Sequence, residues 1–191
     1  MELVQPIRDK KQIESMKRYL KSDKQNGLRN LLLFSLGINS GLRISDLLNL
    51  KISDVINEKG KVRDRITITE HKTGKRKSFP ISNNLKKTIQ DYIDVRKNFE
   101  YEDYLFLSKK KNRLSRNMAW EILNDAAKNI GIKENIGTHT LRKTFGYWAY
   151  KQQMDITLIM QMLNHSSPSV TLRYIGITQE SLDRAYLSLD L

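Results

Sequence analysis

Apolar residues recur at helical spacing through most of this chain, and only between Arg65 and Ile81 does the period drop to two. A stretch of period two cannot sit still as a helix, nor the flanking segments as strands, so the pattern fixes the class of fold before any chemistry is considered. Asp9 caps a helix with Ile13, Met16 and Leu20 on one face, and a more deeply buried helix runs from about Leu28 to Asn39. Gly41 follows it, and a short helix covers Ile44 to Leu50. Arg65-Ile66-Thr67-Ile68-Thr69 and Lys77-Ser78-Phe79-Pro80-Ile81 alternate around the turn-like Lys72-Thr73-Gly74-Lys75, which predicts a β-hairpin with a basic tip. Ser82 then caps a helix to about Asn98 with Leu85, Ile89, Tyr92 and Ile93 inward, and Ser115 caps one from Asn117 to Ile130 that Gly131 closes. Thr138 or Thr140 opens a helix through about Gln152, Asp155 caps Ile156 to Leu163, and Ser167-Pro168 opens a short one carrying Tyr174 about two turns in. A terminal helix is expected over about 178–187. The prediction is an α+β fold, mainly helical, with a small antiparallel sheet (hairpin about 65–81) beside the helices. No repeat or Pro/Gly/Ser linker divides the chain, so one domain is expected over 1–191.

Charge narrows the partner. Lys plus Arg number 34 against 21 Asp plus Glu, a formal net charge of +13, and a phosphate backbone is the natural counterpart of such a field. Cysteine is absent, which excludes disulfides and thiolate metal sites. The N-terminus has no basic segment followed by an apolar one, and the longest apolar run, Leu31 to Phe34 extended to Ile38, is far short of the ~20 residues that span a bilayer. A soluble cytoplasmic protein without a membrane partner is expected.

Five side chains suit one reaction. Arg43 and Arg142 can hold a phosphoryl group that gains negative charge in a transition state, His139 and His165 can hydrogen-bond or carry protons, and Tyr174 can become a covalent phosphate carrier. His139 and Arg142 are three residues apart and share a helical face. Arg43 lies between Leu42 and Ile44 with Asp46 three residues on, so Asp46 is expected to brace the guanidinium rather than carry protons, because a free carboxylate repels a phosphate. Asn164, which tolerates the left-handed conformation, leaves His165 just past a helix end. His71 abuts Lys72, and no histidine pair has metal-ligand spacing; neither metal nor other cofactor is expected.

With those residues in view, the chain resembles the catalytic domain of the tyrosine recombinases, the phage-integrase family, from about Val4 to Tyr186. Gly41-Leu42-Arg43-Ile44-Ser45-Asp46-Leu47 resembles the box of the first catalytic arginine and its supporting acid. Lys72-Thr73-Gly74 resembles the hairpin tip that presents the catalytic lysine. His139-Thr140-Leu141-Arg142 matches the second arginine box, Leu163-Asn164-His165 the box of the second histidine with Asn where glycine is commonest, and Thr171-Leu172-Arg173-Tyr174 the nucleophile segment. The resemblance implies that Tyr174 attacks a DNA phosphate to form a 3′-phosphotyrosyl bond, with neither metal nor ATP. It also implies that Arg142 contacts the non-bridging oxygens, His139 serves proton transfer near the tyrosine, His165 donates to the phosphate, and Lys72 protonates the leaving 5′ oxygen. Lys75, Arg76, Lys77, Lys109, Lys110, Lys111, Arg113, Arg116 and Arg173 are expected to contact double-stranded DNA. The tail, with Leu182, Tyr186 and Leu189 apolar, resembles the segment by which recombinases dock on a neighbouring protomer, so a dimer to tetramer on DNA is expected. Family members usually carry a further helical domain ahead of this one. The Met1 start and capped first helix favour a short recombinase with half-clamped, weak DNA binding. Type IB topoisomerases use the same transesterification, and a regulator that kept the fold without the chemistry is the alternative of another class.

Overall fold

The computed structural model describes residues 4–96, 98–177, 183 and 186–189. Among the described residues of 10–175, eight of the nine helices arise where the periodicity demands them. These are α1 (Lys10–Lys21), α2 (Gly27–Ser40), α3 (Ile44–Leu48), α5 (Asn83–Val95), α6 (Arg116–Asn129), α7 (Thr138–Lys151), α8 (Ile156–Met162) and α9 (Pro168–Ile175). The ninth, the single-turn α4 (Ile52–Val55), has no sequence expectation behind it. Orphan N–H groups at the helix starts are met by side chains the sequence places there. Asp9 accepts from Lys11, Ser82 from Leu85, Ser115 from Met118, Asp155 from Thr157 and Leu158, and Ser167 from Val170. α5 stops at Val95, short of Asn98.

Strands β1 (Arg65–Thr69) and β2 (Arg76–Pro80) pair antiparallel, Ile66 opposite Phe79 and Ile68 opposite Lys77. Ile66 is fully buried, so the hairpin is pinned to the helices by one face of β1 while its tip projects outward. The main core gathers α1 to α6 and one face of α7 around Met16, Leu32, Leu33, Phe34, Leu36, Phe106 and Leu123. A second apolar cluster, Ala149, Ile159, Leu163 and Ile175, joins α7, α8 and α9. Helix α7 thus serves both clusters, and its middle must be thin enough for α9 to approach. Gly146 provides this: a Cβ there would lie 2.7 Å from Cγ2 of Ile175 and 3.0 Å from Leu163. The tail helix expected over 178–187 lies largely outside the described residues, as does Leu182, while Tyr186, Leu187 and Leu189 are exposed. No helix among the described residues is long and apolar enough to cross a membrane.

Candidate active site

Two helix ends build the site by the same local device. Helix α2 ends at the left-handed Gly41 (φ 59°), and the turn after α8 contains Asn164 (φ 48°), also left-handed. Two residues past Gly41 comes Arg43; one past Asn164 comes His165. Gly41 tolerates no side chain, since a Cβ would stand 2.5 Å from the Phe145 ring. Asn164 is stabilised in a conformation most residues avoid by donating its amide to Oε2 of Glu70 at 2.9 Å. Helix α7 brings Arg142 between the two ends. It is 3% exposed, donating Nη1 to the Gly41 carbonyl at 2.6 Å and Nη2 to the Leu163 carbonyl. Two of its five N–H bonds are thereby committed to aiming it, and the others remain for a neighbouring phenol or an anion.

Arg43 does not pair with Asp46, contrary to expectation. Its Nη1 lies 2.9 Å from Oε1 of Glu70, at the base of the hairpin turn, and Glu70 also accepts from the Thr73 hydroxyl at 2.8 Å. Asp46 instead accepts the backbone N–H of His71 at 2.9 Å and so fastens the hairpin to α3. The reason is the hairpin, whose consecutive residues Glu70 and His71 meet Arg43 and Asp46 respectively and so give each a partner other than its neighbour in sequence. Sequence reasoning missed Glu70, although one signal existed, since it is the only acid between Arg65 and Pro80. Three buried atoms, Nη1 of Arg43, Oδ2 of Asp46 and Oε1 of Glu70, lack a hydrogen bond; the Arg43–Glu70 contact is close in distance but poorly aligned. A donor held this way is free to turn to an incoming anion.

Burial pushes the Tyr174 phenol above its ordinary value, more than Arg142, which hydrogen-bonds it, and Arg43 pull it down. The cations therefore do not ionise it in the DNA-free protein, and attack requires a base. The Tyr174 ring stands edge-on to His165, centroids 4.9 Å apart, with the Lys143 ammonium 5.3 Å over it. Burial, then Arg142 and Arg43, draw His165 down to about 4, so its ring is neutral near pH 7. Thr171 spends its single hydroxyl proton on the Ser167 carbonyl, so Nδ1 of His165, 3.1 Å from that hydroxyl, is the donor and Nε2 keeps its lone pair. His139 is likewise lowered, by burial first and then by Arg116, Lys143, Arg142 and Arg43, and is neutral too. A cavity of about 570 Å³ opens beside Tyr174, lined by His139, Arg116, Trp120, Lys143, Val170 and Arg173 among others.

Of the expected set, Arg43, Arg142, His165 and Tyr174 converge, and His139 stands at the cavity wall. Lys72 is exposed in the turn between β1 and β2, two residues from Glu70. Arg76, Lys109, Lys110, Lys111, Arg116 and Arg173 are exposed; Lys75 reaches Oδ1 of Asn164 at 3.4 Å. Arg113 is spoken for by Asn49 and the Tyr104 ring. Lys77 departs from its expectation as a DNA contact. It faces inward because it shares its strand face with Phe79, and its ammonium donates to the carbonyls of Ser40 and Met162. No group of three or more His, Cys, Asp or Glu among the described residues could hold a metal ion.

A family model described as "Phage integrase family" matches residues 8–181. The chain is 44% identical over 187 residues to the probable integrase/recombinase YoeC of Bacillus subtilis, covering 97% of each. It is 33% identical over 175 residues to tyrosine recombinase XerA of Pyrococcus furiosus, covering 90% of this chain and 58% of that one. A crystal structure of XerA recombinase superposes with TM-score 0.77 at 25% identity, covering 98% of this chain and 66% of the other. The chain thus spans nearly all of one relative and little more than half of another.

Proposed function

Because the chain belongs to the phage integrase family, we propose that it is a site-specific DNA recombinase that cuts and rejoins strands through a 3′-phosphotyrosyl intermediate. The observation that carries this reading is the convergence of Arg43, Arg142, His165 and Tyr174, spread over more than a hundred residues of sequence, around a pair of helix ends.

In the proposed reaction, Oη of Tyr174 attacks phosphorus, the P–O5′ bond breaks, and its electron pair leaves on the 5′ oxygen. The phenol proton goes to a neutral histidine, a role we assign to His139, which lines the same cavity as Tyr174. The leaving oxygen takes a proton from Lys72. When DNA binds, Arg43 turns from Glu70 to a non-bridging oxygen while Arg142, already aimed, supplies its uncommitted N–H bonds, so both meet the charge that develops on the phosphoryl group. His165, once near a phosphate, takes a proton from solvent on Nε2, because the neighbouring anion favours its charged form, and donates it as a hydrogen bond. Both the energy of the broken bond and the phosphate stay on the protein, so a second 5′-hydroxyl can reverse the step and join new strands. Every role is filled by a side chain, so neither metal nor ATP enters.

The exposed cations Lys72, Arg76, Lys109 to Lys111, Arg116 and Arg173, the last two lining the cavity beside Tyr174, support duplex DNA as the partner. Residues 1–191 are proposed to act as one catalytic domain, as a dimer to tetramer on DNA and in the cytoplasm. The test uses a pool of nicked suicide duplexes randomised around the nick, incubated with the protein and resolved on a denaturing gel. A shifted, protease-sensitive band that joins strands supports the recombinase. No shifted band with wild-type chain and DNA retained on a native gel supports the silent binder, and relaxation of supercoils without joining supports a topoisomerase. Tyr174→Phe should abolish the band, and Arg43→Ala or Arg142→Ala should slow it by on the order of 10² to 10³.

A further inference from the structure

Lys77 and Arg142 perform parallel tasks on consecutive atoms. The Lys77 ammonium donates to Ser40 O at 3.1 Å and Met162 O at 3.0 Å; the Arg142 guanidinium donates to the very next carbonyl in each segment, Gly41 and Leu163. Both cations therefore span the same two chain reversals, the one leading to Arg43 and the one leading to His165. These are helix C-termini, where unpaired carbonyls and the dipole favour cations. Lys77 comes from β2, and the other end of that hairpin turn carries Glu70, which holds Arg43 and Asn164.

We infer that Lys77 is a positioning residue: its ammonium staples the ends of α2 and α8 together and, with Arg142, sets the angle at which Arg43 and His165 meet the reacting phosphate. It touches neither DNA nor Tyr174. The inference rests on the recombinase reading for its catalytic consequence, but the staple itself is a statement about the protein alone. Placing an ammonium there is unfavourable: burial first, then Arg142 and Arg43, lower Lys77 to about 8 against the opposing pull of Glu70 and Asp46. An apolar residue or a distant surface lysine would avoid that cost, so the charge is retained for the two carbonyls it bridges. A deprotonated amine holds them more weakly, which makes alignment sensitive to alkaline pH.

The test compares wild type, Lys77→Met and Lys77→Arg. Lys77→Met should bind duplex DNA with unchanged affinity but form the covalent band on the order of 10²-fold more slowly at saturating DNA, the effect of about an ångström of misalignment. Lys77→Arg, which keeps two donors and does not titrate, should recover much of that rate and hold it through pH 9, where wild type declines. Side-chain NMR of the Arg142 Nε–H and the His165 ring, without DNA, should show both signals displaced in Lys77→Met and nearly restored in Lys77→Arg. Weaker DNA binding with an unchanged saturated rate would make Lys77 a phosphate contact and overturn the inference, as would unmoved Arg142 and His165 signals. A wild-type chain that forms no covalent band refutes the recombinase reading, while the NMR arm still decides the staple.

Discussion

Gly146→Ala is the sharpest single perturbation of the site, because it adds one uncharged methyl group and removes no side chain. That methyl would sit 2.7 Å from Cγ2 of Ile175 and 3.0 Å from Cδ1 of Leu163, where carbon atoms prefer about 3.5–4.0 Å. Cγ2 of Ile175 branches directly from Cβ, and a β-branched side chain in a helix has one favoured rotamer, so the contact is relieved by moving α9 rather than by turning the side chain. The required opening is about 1 Å between α7 and α9. In stability the effects nearly offset: overpacking costs roughly 1–3 kcal/mol, while alanine is about 1 kcal/mol better than glycine within a helix. In catalysis they do not offset. Helix α9 carries Tyr174, α7 carries Arg142, and a displacement of ~1 Å between nucleophile and phosphate clamp costs on the order of 10² in rate. Thermal unfolding should therefore change by a few degrees while covalent adduct formation on a suicide duplex falls about a hundredfold, and Ile175→Ala in the same chain should return part of that rate. A Gly146→Ala protein that melts normally and forms adduct at the wild-type rate would refute the claim that this packing sets the position of Tyr174.

Hydrogen bonds from Thr73 and Asn164 and the charge of Arg43 together outweigh burial, which alone would raise it, and hold Glu70 below the usual carboxylate range. Its stabilising contribution is thus complete above about pH 4.3 and disappears as the pH falls through its lowered value; in Glu70→Gln, melts across the acid range should lose that dependence and be destabilised by about 1–3 kcal/mol at neutral pH. His165, at about 4 in the folded chain against about 6.5 unfolded, favours the native state above 6.5 and weakens it on descent to 4. Ring NMR should find His165 neutral and protonated on Nδ1 at pH 6, and its titration should move upward when inorganic phosphate or duplex DNA is added; a ring already cationic at pH 6 contradicts the environment described. A duplex with sulfur at the 5′ bridging position has a leaving group that needs no acid, so Lys72→Ala should be slow on ordinary DNA and restored on the sulfur substrate, while Arg142→Ala stays slow on both; equal rescue of the two would remove Lys72 from the acid role.

Much of the scaffold was legible because it is built from local rules. Asp9, Ser82, Ser115, Asp155 and Ser167 each cap a helix whose first N–H groups lie two or three residues away, and the strand period of Arg65 to Thr69 is written in five consecutive residues. The single turn of α4 is too short to display a helical period in the sequence. Asn164 tolerates the left-handed conformation it adopts for the same local reason, and the glycine that follows α2, Gly41, takes that conformation too.

Long-range charge pairing is a different matter. Lys72, Lys75, Arg76 and Lys77 are alike as letters on a basic hairpin, and only burial of one strand face selects Lys77 for an inward role. Asp46 is nearest to Arg43 in sequence, yet Glu70 is its partner, because the hairpin folds over α3 and delivers a carboxylate that spacing does not reveal. The sequence by itself determined the helices, the hairpin and the residue types of the site, since caps and periodicity act over a few residues. The tertiary structure alone decided which acid holds which arginine, which lysine turns inward and how closely α9 approaches α7, since those depend on surfaces that meet only when segments up to about a hundred residues apart have packed.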